Sequence, residues 1–120
     1  MTPGEFRSAF ETFRDEVSRE AVASKSSHDA FVQLSGLYTK FDADECALAD
    51  AIIADWLGSD DESKRWDAEA LIQEHTMASA LPQLRALADE LECATDPGAP
   101  YERAKVNRII GQLAERGQRG

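Results

Sequence analysis

Histidine, cysteine and cationic residues are scarce in this chain of 120 residues, which holds two His, two Cys and 13 Lys and Arg against 23 Asp and Glu, a formal net charge of -10. Each shortage excludes something. Cys46 and Cys93 are too few and too far apart for a disulfide framework. The N-terminus shows no basic region followed by an apolar run, so the thiols are expected to be reduced and the location cytoplasmic. The acid excess disfavours nucleic acid as a partner, because each phosphate contact requires a cation. Long apolar runs are missing as well. The richest stretch, Ala47 to Leu57, is interrupted by Asp50 and Asp55 and falls short of the roughly 20 residues that span a bilayer, so no membrane association is expected.

What remains is 42% hydrophobic, and its apolar residues recur at helical spacing. Phe6, Phe10, Phe13 and Val17 fall on one helix face, with Pro3 at the start where its missing N–H costs nothing. Ser26 or Ser27 is expected to cap a second helix bearing Phe31, Leu34, Tyr38 and Phe41. Asp42 and Glu45 have the spacing of a capping box before a third helix, with Leu48, Ile52, Ile53, Trp56 and Leu57, which Gly58 ends. The acidic run Asp60-Asp61-Glu62 then opens a fourth helix whose inward stripe reads Ala68, Leu71, Ile72 and His75. A fifth starts near Met77, with Pro82 in its first turn, and carries Leu81, Leu84, Ala88 and Leu91. Thr95 to Pro100 is the strongest breaker in the chain. A sixth helix follows, with Val106, Ile109, Ile110 and Leu113 inward and fraying expected from Arg116 to Gly120. No segment alternates like a strand. The expected fold is all-α: about six helices, stacked as antiparallel hairpins in a single domain.

Two hairpins, about Ala47–His75 and Ala78–Leu113, repeat with a period in the high thirties, as in a solenoid. The stretch from Ile53 to Ile72 resembles a HEAT repeat. The matching features are Trp56 and Leu57 ending the first helix, an acidic turn, Arg65 early in the second helix, Ala68 three residues on, and the apolar pair Leu71 and Ile72. Leu81, Leu84 and Leu87, followed by Lys105, Val106, Ile109 and Ile110, resemble a second, looser copy. Ser59 and Lys64 depart from the family's usual aspartate and valine. The resemblance implies a short α–α superhelix, with residues 42–76 as one repeat, 77–116 as the second and 1–41 as an N-terminal pair or cap.

Catalytic chemistry finds little support. His28 and His75 lack the i+3 or i+4 companion of a helical metal site, so no metal or other cofactor is expected. No G-x-S-x-G turn occurs, neither cysteine neighbours a histidine in sequence, and Gly98 stands alone rather than in a phosphate-binding loop. The acidic clusters fall at helix ends, where capping and solvation account for them and where the desolvation needed for general acid–base work is lacking. A spatial site around His75 and Cys93 is the residual enzymatic alternative.

Binding fits better. Between Asp42 and Asp96 fifteen acids face three bases, a net charge of -12, whereas Tyr101 to Gly120 carries a net +3. Trp66 lies about 160° around its helix from Ala68, which turns it outward beside Lys64, Arg65, Asp67 and Glu69; packing on the first helical pair is the competing reading. The expectation is a non-catalytic, HEAT-like protein-interaction module, monomeric or weakly dimeric. Its predicted partner-binding face is Lys64, Arg65, Trp66, Glu69, Arg103, Lys105 and Arg108. The alternative is an acidic, immunity-type inhibitor that neutralises a basic nucleic-acid-processing enzyme by charge mimicry.

Overall fold

The computed structural model describes the backbone of residues 2–24 and 27–119, and their side chains except at 24, 27, 28 and 116–119. The expected cap at Ser26 or Ser27, the side chain of His28 and the side chains beyond 115 lie outside this set. Among the described residues the fold is all-α: α1 (Pro3–Ser24), α2 (Ser27–Thr39), α3 (Ala43–Trp56), α4 (Glu62–His75), a 3-10 turn (Ala78–Ala80), α5 (Leu81–Cys93) and α6 (Ala99–Arg119). Among the described residues no helix is long and apolar enough to cross a membrane. The chain divides within α3 into two compact units, Met1–Ile52 and Ile53–Gly120.

In the first unit α1 pairs with α2. The Thr2 hydroxyl caps α1 by accepting the Glu5 N–H at 3.1 Å, one residue ahead of the proline that opens the helix. Phe6, Phe10 and Val17 are buried as their spacing predicts, and Leu34 answers them from α2. Phe41, just past α2, gathers the aromatics: its ring centroid lies 5.2 Å from Phe6 and 5.8 Å from Phe10. The Tyr38 hydroxyl donates to Asp50 at 2.7 Å; burial, then that carboxylate, raise its pKa well above the usual phenol range. The capping box is reciprocal, with Glu45 N–H donating to Asp42 Oδ1 at 2.8 Å and Asp42 N–H donating to Glu45 Oε1 at 3.1 Å.

The second unit is built on α5 and α6, which pack along their length, with α4 set against α6. Its core holds Ile53, Trp56, Leu71, Ile72, Leu84, Val106 and Ile109, all essentially inaccessible. Asp61 caps α4, its carboxylate accepting the Ser63 and Lys64 N–H groups at 3.0 and 3.4 Å. Three expectations need adjustment. Gly58 follows the end of α3 but holds no left-handed conformation; the positive φ occurs instead at Thr76, φ 53°, which closes α4, an uncommon place for a β-branched residue. Pro100 is no breaker, because α6 starts at Ala99 and a first-turn proline forgoes no intrahelical bond. The helix also continues over residues 116–119, where fraying was expected.

Candidate functional site

The cations and carboxylates of the second unit meet where α4 lies on α6. Arg65, on the first turns of α4, reaches in two directions. Its Nε and one terminal nitrogen donate to the two oxygens of Glu102 on α6 at 2.9 and 3.1 Å, and its other terminal nitrogen donates to the Ser59 carbonyl at 3.0 Å. This forked, charge-assisted pair is nearly dry, with side-chain exposures of 14% for Arg65 and 5% for Glu102. Desolvation alone would raise the pKa of Glu102, but hydrogen bonds from Arg65, Glu69 and the Trp66 side chain outweigh it and hold the carboxyl below its ordinary range.

Glu69 stands one turn beyond Arg65 and has the opposite fate. It is fully buried, and neither of its carboxylate oxygens accepts a hydrogen bond. The nearest cation, Lys105 Nζ on α6, is 3.8 Å from Oε1, beyond hydrogen-bond range. Burial first, and then the Glu102 carboxylate, push Glu69 up to about 9, against the weaker pull of Lys105 and Arg65. A buried carboxyl without a donor is stable only when it carries a proton, which it can then offer to Glu102. The pair therefore holds one proton and one negative charge at neutral pH.

An open cleft of about 580 Å³ lies over this pair, lined by Glu69, Glu102 and Lys105 together with Glu62, Trp66 and Tyr101. Trp66 is 48% exposed and Tyr101 83% exposed. Trp66 is thus not a core residue of its unit. Its position on the far side of α4 from Ala68 leaves it at the edge of the α4–α6 contact.

The predicted partner-binding face fares unevenly. Lys64 sits 5.6 Å from the centroid of the Trp56 ring. Arg65 is half-buried and committed to Glu102, so it is not an open contact residue. Glu69 was placed among surface charges and is instead interior, because α6 covers that flank of α4. Trp66 and Lys105 line the cleft; Arg103 pairs weakly with Glu92 at 3.7 Å on the α5 side, and Arg108 is exposed.

Tyr101 and Glu102 escaped the sequence reading. Their signal was present as an aromatic and an acid straight after a turn, on a helix whose next residues are basic. Cys46 and Cys93 are both free thiols, and among the described residues no group of three His, Cys, Asp or Glu is arranged to hold a metal ion. The chain matches no protein family, no characterised protein and no solved structure.

Proposed function

We propose that this chain is a HEAT-like helical module that binds another protein through the α4–α6 cleft, without catalysis. The observation that carries the reading is the pair of exposed aromatic rings, Trp66 and Tyr101, flanking a recess. Large aromatics that protrude beside a charged pocket are typical anchors of protein interfaces. The repeat character is supported by Arg65, which ties the turn before α4 to the last helix at Ser59 and Glu102 and so joins successive hairpins, as a stacked array requires.

The test is capture of a partner from the native host by the wild-type chain, Trp66→Ala, Tyr101→Ala and a control, Arg7→Ala, in α1. Loss of the captured protein by at least tenfold with both cleft variants, with helicity and thermal midpoint nearly unchanged, is the expected result. Equal capture by all four proteins excludes the cleft as the interface.

A further inference from the structure

We propose that the cleft receives the guanidinium group of a single arginine from the partner protein, stacked by Trp66 and Tyr101 and seated on the two oxygens of Glu69. This inference rests on the interaction-module reading above and adds the chemistry of what is recognised.

Glu69, a carboxyl neither of whose oxygens accepts a hydrogen bond, fully buried yet contributing to the wall of an open cleft, becomes an unfilled bidentate acceptor once it loses the proton it shares with Glu102. Its complement is a planar fork of two N–H donors. A guanidinium meets that requirement, whereas an ammonium supplies its donors from one point. The rings of Trp66 and Tyr101 line the same recess and offer π faces to a flat, weakly hydrated cation. Glu62 adds a further negative charge at the cleft.

The charges that reach Glu69 are Glu102 and Lys105 from α6 and Arg65 from its own helix. Arg65 is taken up by Glu102. Lys105, one-third exposed and 3.8 Å from Glu69 Oε1, holds the carboxyl only loosely and can turn its ammonium to water. The exchange balances in charge: the partner's guanidinium enters, Glu69 gives up its proton to solvent, and the local charge is unchanged. Binding is therefore coupled to proton release. Below the pH at which Glu69 ionises, each unit of pH strengthens binding roughly tenfold.

The probe is N-butylguanidinium, which stays charged throughout, with butylurea and butylammonium as controls, followed on the full chain by NMR of the Trp66 indole N–H, assigned with Trp66→Phe. The expected result is saturable guanidinium binding that tightens roughly tenfold from pH 7 to 8. Butylurea should leave the signal unmoved, and butylammonium should bind several-fold more weakly. Glu69→Gln should bind guanidinium at least tenfold more weakly at pH 8 and without pH dependence. The pH dependence of the wild type stands as a test even where that variant folds poorly. Binding independent of pH, or equal binding of butylurea or butylammonium, overturns the proposal. Capture that depends on Trp66 and Tyr101 together with a pH-independent probe overturns this inference alone. A pH-dependent probe with capture indifferent to both rings overturns the module reading and leaves the guanidinium site.

Discussion

Two glutamates on neighbouring helices, Glu69 and Glu102, end with opposite protonation because only one of them has a fork of donors. Glu69 is raised to about 9 from an ordinary 4.5, and the sign of its effect on stability follows. Between those values the folded chain binds one more proton than the unfolded chain, so this contribution is present in full below about pH 4.5, declines as pH rises and levels off above about 9. Glu102, held low, acts in the reverse sense, and its contribution is lost only in acid. Glu69→Gln keeps the shape and removes the titration. Chemical denaturation from pH 5 to 9 should show the wild type losing stability relative to Glu69→Gln, by at most about 1.4 kcal/mol per pH unit. Parallel curves for the two proteins would mean that Glu69 is ionised at neutral pH.

At the scale of the elements, α4 is held to α6 by Arg65 as well as by Leu71, Ile72, Val106 and Ile109. Arg65→Ala takes from Glu102 its only charged donors and leaves its negative charge buried beside Glu69, and removing one member of a buried pair costs about 3–5 kcal/mol. Arg65→Lys retains the charge but loses the fork, so equilibrium unfolding should rank the wild type above Lys and Lys above Ala. A negligible change in the alanine variant would show that the pair is solvated. This element also marks what was readable in advance. The stripe Ala68, Leu71, Ile72 gave α4 and its inward face, and Asp42 and Glu45 gave the start of α3. The burial of Glu69 was not readable, because it lies about 60° from Ile72 around the helix, at the edge of the apolar arc. Whether such a position meets water depends on the helix laid beside it, and that pairing is set by tertiary packing of α6 with α5. Tyr101 was missed for a related reason: Pro100 looked like the end of a breaker, whereas it lies in the first turn of α6.

Over the whole molecule, the charge of -10 gives two distinct accounts of recognition that salt separates. The net of -12 from Asp42 to Asp96 favours charge mimicry if much of it meets a basic partner surface at once. Part of that acid is already occupied within the chain: Asp42, Glu45 and Asp61 cap helices, Glu92 faces Arg103, and Glu69 is interior and protonated. Two basic residues of α6 also turn to neighbouring helices, Lys105 to Glu69 on α4 and Arg103 to Glu92 on α5, which reduces the polarity seen along the sequence. An interface centred on two aromatic rings and one sequestered guanidinium has most of its electrostatics in a desolvated pocket, where screening is weak. Partner affinity should therefore fall by less than about tenfold between roughly 50 and 500 mM salt, with Trp66→Ala costing more than the entire salt range. A mimic that spreads many exposed carboxylates over a basic surface would lose affinity by several powers of ten across the same range. Calorimetry of the complex over that range of salt decides between them, and a steep dependence with an innocuous Trp66→Ala would move the function from the cleft to the acidic surface.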